Sequence, residues 1–392
     1  MTRSFFVLAI LLATSASTDA HHGFGTFELS KTVSFTGARF TRIELLNPHS
    51  WLYFESIDST GKVQKHRCEM RSAHVLRRSG WTKDLFPANS KVSITASPDR
   101  ADPNSCYLQT IEFENGSRMD RYGQYVKAPD GKVREVVGAI RAVDTKRPAR
   151  RPTGEPNLAG DWAAEQVVMA DPRGTGGGLI PLSQVEQARQ RGQAAGNAPR
   201  GAGAGRGRGE GPRLYGGTEL TERGQQEANT FAQKDNPRFR CETTSILFDW
   251  TFDGAVNRIT QNRDTIVMQY GQMGLRRTIQ MNMKEHPRNI RPSRMGHSIG
   301  RWDGDTLVVD TVGFLPGVLN APVRHGDQLQ VVERFTLDPA AMQLRRTYEA
   351  RDSAYLKGAY TGQDAIQPAD VAYAPDECKE QQFIDYSKQS QR

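Results

Sequence analysis

His21 and His22 stand side by side at the first position where an exported form of this chain would begin. Residues 4–13 are an apolar run behind Arg3, and Thr18-Asp19-Ala20 satisfies the small-x-small pattern of signal peptidase. Residues 1–20 are therefore expected to be a signal peptide, with a periplasmic or secreted product. The freed α-amino group and the ring of His21 would chelate a metal ion, and a second imidazole would complete a planar three-nitrogen set. Such a set suits Cu(II), which leads the divalent affinity order. His49, stiffened by Pro48, is the preferred third ligand and His22 the alternative. Were Ala20 retained, His22 would stand third, a spacing that binds Cu(II) or Ni(II) through backbone amides. Five of the eight histidines (His21, His22, His49, His66 and His74) fall in this first region, which is why the cluster draws notice. Against it stands the plainer reading that a His-His terminus binds nothing and His49 satisfies a loop hydrogen bond.

Two other groups carry chemistry in principle. Gly296-His297-Ser298-Ile299-Gly300 matches the G-x-S-x-G elbow, with Asp305 or Asp310 and then His325 following in triad order. That motif needs a buried strand before it and a helix after it. Here Arg291-Pro292-Ser293-Arg294 precedes and a hairpin follows, so Ser298 is a weak nucleophile candidate and no catalytic residue is assigned. Asp303, Asp305, Asp310 and Glu333 would suit acid/base work or Ca²⁺ if they converged. Their placement reads more simply as turn residues and a cross-strand ion pair.

The elements that would hold these residues come in two groups. Residues 31–45, 50–57 and Val63–Met70 read as strands, Ser72–Arg78 as a short helix, and Lys91–Ala96 and Tyr107–Glu114 as two further strands. That order is the one of an OB-type five-stranded barrel over about 21–120. After a link at 121–156, a domain over 157–385 carries a helix at 220–232 opened by Thr221. Seven short strands then run between Asn257 and Ala350. Asp303-Gly304 is the clearest hairpin signal, of type I′. The pattern predicts an all-β chain whose second domain is a larger antiparallel barrel or sandwich. Gly160-Asp161-Trp162 would supply its first strand, in the manner of lipocalin-like barrels. A ligand cavity of that kind would be lined by Trp302, Phe314, Phe335, Tyr348 and Met268, although core packing explains each equally well.

Composition places limits on the rest. The apolar share of 37% is low for a folded chain of this length, which points to a long unfolded stretch. Residues 174–217 are rich in Gly, Ala, Arg and Gln and are expected to be largely disordered, with a helical piece near Leu182–Arg191. From Lys146 to Arg213 there are 11 basic and 6 acidic residues, a surplus of 11 − 6 = 5 charges that keeps the segment solvated. The Arg-Gly repeats lack the aromatics that stack on bases, which argues against a nucleic-acid partner. Beyond the leader no apolar run reaches the roughly 18–20 residues of a membrane span. The four cysteines form no C-x-x-C pair, and two bridges are expected in an oxidising compartment. Cys68–Cys106 and Cys241–Cys378 are favoured because each then stays within one domain.

Two stretches resemble known families. Ala20-His21-His22, Asn47-Pro48-His49 with Trp51, Glu69-Met70 and Arg77-Arg78-Ser79-Gly80-Trp81 together resemble small exported bacterial proteins of unknown function, over about 21–115. Gly296–Thr311 (GHSIGRWDGDTLVVDT), with Val332-Glu333-Arg334-Phe335, is similar to a second uncharacterised exported family over about 157–380. Neither resemblance implies an activity. The functional expectation is an exported binding protein that holds a metal ion, copper by its donors, at the N-terminus and a small ligand in the second barrel. A hydrolase, a copper oxidoreductase and a non-catalytic envelope protein remain as alternatives.

Overall fold

A computed structural model describes residues 27–82, 87–121, 125–127, 147–169, 179–184, 214–376 and 378–379. The expected leader, His21, His22 and most of the Gly/Arg-rich stretch, including residues 185–191 of the expected helical piece, lie outside them.

The first strands alternate so that every second residue is apolar, and this alternation curls them around one core. They are β1 (Val33–Glu44), β2 (Trp51–Ile57), β3 (Val63–Glu69), β4 (Lys91–Pro98) and β5 (Ser105–Phe113), with helix α1 (Ala73–Arg78) between β3 and β4. They pair in the order β3-β2-β1-β4-β5, and β5 returns parallel to β3, closing a five-stranded barrel of OB topology. Phe40, Leu52, Phe54, Ile94, Leu108 and Ile111 fill it, each buried. At the β3–β5 seam Cys68 and Cys106 face one another as a disulfide. The Ser72 hydroxyl caps α1 by accepting from Val75 N, and Trp81 just beyond the helix drops into the core. Two short strands, β6 (Arg118–Asp120) and β7 (Tyr125–Lys127), extend β5 into the region expected to be a link.

The second barrel has nine strands. In chain order they are β8 (Gly160–Ala163), β11 (Asn257–Gln261), β12 (Thr265–Gln269), β13 (Arg276–Gln280), β14 (His297–Asp303), β15 (Thr306–Val312), β18 (Gln330–Asp338), β19 (Gln343–Arg351) and β20 (Tyr360–Pro368). Outside it lie hairpins β9 (Val167–Met169) with β10 (Leu179–Pro181) and β16 (Gly317–Asn320) with β17 (Val323–His325), and helix α2 (Glu222–Asn229). Thr221 caps α2, as its sequence indicates. The Gly-Asp-Trp strand closes the ring by pairing with both β11 and β20, and Trp162 is fully buried with its indole N–H donating to Leu158 O.

Several expectations change. The barrel is mixed, because β13 and β14 run parallel through Ile279–Ser298 and Gln280–Ile299; the long 281–296 connection carries the chain back to start β14 in the same direction. β20 escapes notice because its sequence, YTGQDAIQP, breaks apolar alternation with Gly, Asp and Gln. The β14–β15 turn has positive φ at Gly304 but not at Asp305, so it is the II′ kind and not I′. Within 174–217 the described residues 179–184 and 214–217 include β10, a 3₁₀ turn at Leu182–Gln184 and Tyr215, which bridges to Thr218. Residues 147–156, assigned by composition to the link, lie against the larger barrel, where Arg147 sits over the Trp162 ring and Arg150 pairs with Asp305. Charge content told of solvation there; it could not tell of these partners.

Candidate binding site at the barrel mouth and domain junction

Inward-facing positions of the larger barrel place charges where only apolar side chains would be expected. Arg277 on β13, Glu333 on β18 and Arg346 on β19 are each fully buried. Glu333 sits between the two guanidinium groups, accepting from Arg277 Nη2 through Oε2 and from Arg346 Nη1 through Oε1 at 3.1 Å. Arg346 also grips Asp364 of β20 through two nitrogens. Burial works against its charge, but Asp364 and Glu333 more than offset this, so Arg346 holds its proton more firmly than usual. The same guanidinium donates to Ile246 O at 3.1 Å and Leu247 O at 2.9 Å. Tyr270 donates to Ile246 O as well, and burial pushes its hydroxyl up to about 12. Residues 243–250 are thereby tied across the end of the barrel as a plug. Two cations and two carboxylates balance, which is the condition for burying them at all.

Against the plug lies a cavity of about 240 Å³, walled by Phe248, Phe252, Leu319, Tyr348, Tyr360 and Asp364 among others. Phe248 and Phe252 stack with ring centroids 4.6 Å apart, and the Arg238 guanidinium lies 3.8 Å over Phe252. Arg238 is held in turn by Asp249 at 2.9 Å and Gln272 at 2.9 Å. Burial raises the Asp249 carboxyl to about 6 despite Arg238 and two backbone N–H donors. Of the five residues expected to line a ligand cavity, Tyr348 does so. Met268, Phe314 and Phe335 are buried in the core, and Trp302 packs against it part-buried.

Beyond Thr251 and Phe252, which both cavities share, a second hollow of about 380 Å³ opens between the two barrels. Its walls include Arg71, Val75 and Arg78 from the first barrel and Glu165, Gln166 and Asp253 from the second. Arg78, almost wholly buried, donates to Ala164 O at 2.7 Å, Gly254 O at 2.9 Å and Asp370 at 2.8 Å. Gly254 has φ +60, and a Cβ there would stand 2.6 Å from the Arg78 guanidinium, so glycine is what admits the arginine. Arg71 pairs with Asp253. Burial alone would raise the Asp253 carboxyl, but Arg71 and Arg238 hold it below its ordinary range.

The chain end straps the two barrels together. Asp376 accepts from Asn47 Nδ2 in one barrel and Met273 N in the other, Lys379 N donates to Asn47 O at 3.1 Å, and Cys378 is bonded to Cys241. Buried His74 lies 2.9 Å from Asn47 Nδ2 and 3.7 Å from Asp376. Asn47 donates, so His74 Nε2 must accept and the ring stays neutral. Burial lowers His74 to about 4 from 6.5, with Asp376 and Asp253 pulling the other way. The unfolded chain therefore binds the extra proton between those two values, and stability present above pH 6.5 is lost as pH falls toward 4. That loss should reach about 3 kcal/mol at 1.4 kcal/mol per pH unit. Urea unfolding at pH 7 and 4.5 checks it: His74→Gln should flatten the pH dependence, and an unchanged slope contradicts the assignment.

The other sequence candidates are scattered. His49 Nδ1 is 3.0 Å from Glu69 Oε1, close enough for an ion pair though not aligned as a hydrogen bond. That leaves Nε2 as the nitrogen it could offer a metal; His21 and His22 lie outside the described residues. His66 is part of the barrel wall, bonded to Ser56 and stacked on Phe54. Ser298 points into the larger barrel, receives Arg277 Nε at 3.0 Å and meets Thr311 Oγ1 at 2.9 Å. Residues 297–303 are strand leading into a hairpin, so no elbow forms, and His325 bonds to Gly326 O beside Phe314. Asp303 and Asp305 lie at the turn, Asp310 faces outward to Gln330, and Glu333 faces inward to Arg277 and Arg346 and not to its neighbour Arg334. Among the described residues no three or more His, Cys, Asp or Glu gather as metal ligands. Arg78, Asp376, Arg346 and Asp364 were missed. Arg78 was visible within Arg-Arg-Ser-Gly-Trp, but its partners are 86 to 292 residues away.

These features define a mostly β protein of two strapped barrels, with a divided cleft at the larger barrel's mouth and the junction. Its two disulfides are consistent with an extracytoplasmic location. No helix among the described residues is long and apolar enough to cross a membrane. Residues 9–106 match a family of unknown function, DUF6152, in the region of the His-His, Asn-Pro-His and Arg-Arg-Ser-Gly-Trp motifs. No second family was found over the rest of the chain. No curated protein and no solved structure matches.

Proposed function

We propose that this is an extracytoplasmic binding protein that takes a small organic ligand in the cleft divided by Phe252. The observation that carries this reading is the cavity of about 240 Å³, with stacked aromatics on one side and Asp364, Asn320 and Tyr360 on the other. Its exposed wall is more polar than apolar, so Asn320, Tyr360, Gln363 and Asp364 would supply most of the contacts and orientation, with the aromatic faces packing against the rest of a small polar ligand. The resemblance of Gly296–Thr311 to a second exported family accords with a domain of its own kind here. A metal ion, copper by donor type, at His21, His22 and His49 is the second reading. What favours it is the Glu69 carboxylate 3.0 Å from His49 Nδ1, an acidic neighbour on that side of the ring that leaves Nε2 to a metal.

Native mass spectrometry of the exported protein tests the first reading. The wild type should carry a small organic adduct, and Thr251→Trp, which fills the wall common to both hollows, should lower its occupancy at least about tenfold. Equal occupancy in both proteins, or no adduct in either, rejects the cleft. Copper titration of His21→Ala and His49→Ala against wild type tests the second, and the same stoichiometry in all three ends it.

A further inference from the structure

On the outer wall of the larger barrel, away from the cleft, two imidazoles meet without a function in the reading above. His297 opens β14, and His286 arrives from the 281–296 connection; their Nδ1 atoms are 2.9 Å apart with the rings inclined at 71°. On the far side of His286, Nε2 is buried and lies 3.7 Å from Asp310 Oδ2 on β15. Asp310 is steadied by Gln330, whose Nε2 donates to both carboxylate oxygens at 3.0 and 3.2 Å. The connection is pinned at its later end, where Ser293 N donates to Gly313 O at 3.1 Å and Leu315 N to Ser293 O at 3.0 Å. The two rings are therefore fixed by the fold, and they share no residue with the walls of the cleft.

We propose that His286 and His297 form a site for a divalent transition metal of tetragonal preference, Cu(II) or Ni(II), with the Asp310 carboxylate facing the far side of His286. Metal–imidazole bonds are about 2.0–2.1 Å long. Two nitrogens 2.9 Å apart then subtend roughly 90° at the ion, the angle between neighbouring ligands in planar or octahedral coordination. A tetrahedral ion such as Zn²⁺ would hold them about 3.3–3.4 Å apart with the same bond lengths. Asp310 Oδ2, 3.7 Å from His286 Nε2, is beyond hydrogen-bond reach, but its charge faces that nitrogen and favours the tautomer protonated there, which leaves Nδ1 to ligate. Without metal, His297 Nδ1–H donates to His286 Nδ1. With metal, His297 carries that proton on Nε2 instead, so no net proton is released. Two protein donors leave the remaining positions to water or to a small anionic or amine ligand.

Cu(II) titration of the full chain tests this, in a His21→Ala/His22→Ala/His49→Ala background that removes the other proposed site. One ion per chain should bind, with an electron paramagnetic resonance spectrum showing two imidazole nitrogens. His286→Ala and His297→Ala should each weaken binding at least about 100-fold, and Asp310→Asn less than either, with thermal unfolding unchanged. Cu(II) affinity unaltered by either histidine replacement, or no binding in the background protein, overturns the proposal.

Discussion

Replacing Glu333 with glutamine should destabilise the larger barrel by about 3–5 kcal/mol, the range for leaving a buried charge without its partner. Glu333 is completely buried and is the one carboxylate between Arg277 and Arg346. An amide there cannot neutralise either guanidinium, and the two cations would face each other in a medium that screens poorly. The effect should extend to the plug, because Arg346 also holds Ile246 and Leu247 by their carbonyl oxygens. Arg277→Met together with Glu333→Gln should cost less than Glu333→Gln alone. That pair of changes removes one charge of each sign and leaves Arg346 bound to Asp364. Equilibrium urea unfolding, followed by Trp250 and Trp162 fluorescence, gives both values. A cost below about 1 kcal/mol for Glu333→Gln would mean the cluster is hydrated and the barrel end is not sealed as described.

Removing the Cys241–Cys378 bond by serine substitution at both positions should cost about 2–5 kcal/mol and uncouple the two barrels. The bond closes a segment of 137 residues, and the entropy it withholds from the unfolded chain grows with loop length. A local effect adds to this. Cys378 sits beside the strap that brings Asp376 to Asn47 and Met273, so freeing it lets those contacts open. Calorimetry should show one transition in the wild type and two in the double variant, with faster proteolysis near 369–379. Serine at both Cys68 and Cys106 is the control: that bond lies inside the small barrel, spanning 38 residues, and its loss should lower the first barrel's stability without separating the two. A single unaltered transition after loss of Cys241–Cys378 would show that Arg78 and Arg71 suffice to hold the junction.

How far the sequence carries depends on the range of the forces involved. Strands β1 to β5, α1 and α2 with its Thr221 cap follow from alternation and capping, which act within a few residues. The disulfide pairing followed from domain boundaries. The parallel β13–β14 pair and strand β20 did not, because each depends on which neighbour a strand meets and not on its own composition. The candidate residues show the same division. Glu333 reads locally as half of a cross-strand ion pair, and Arg346 on the adjacent strand is that partner; what could not be read is that alternation turns the pair inward, where Arg277 joins it in the core. Ser298 reads as an elbow nucleophile until its strand directs it into a polar core.

What the sequence alone determined was an all-β chain of two barrels, its short helices with the Thr221 cap, and the cysteine pairs. These rest on local periodicity and on spacing along the chain. Only the tertiary structure decided that Arg78 locks one barrel to the other, that Asp376 straps them, that the larger barrel is closed around paired charges, and that His286 meets His297. Each of those joins groups distant in sequence, and their attraction depends on burial and on angle, quantities that exist only once the chain has folded.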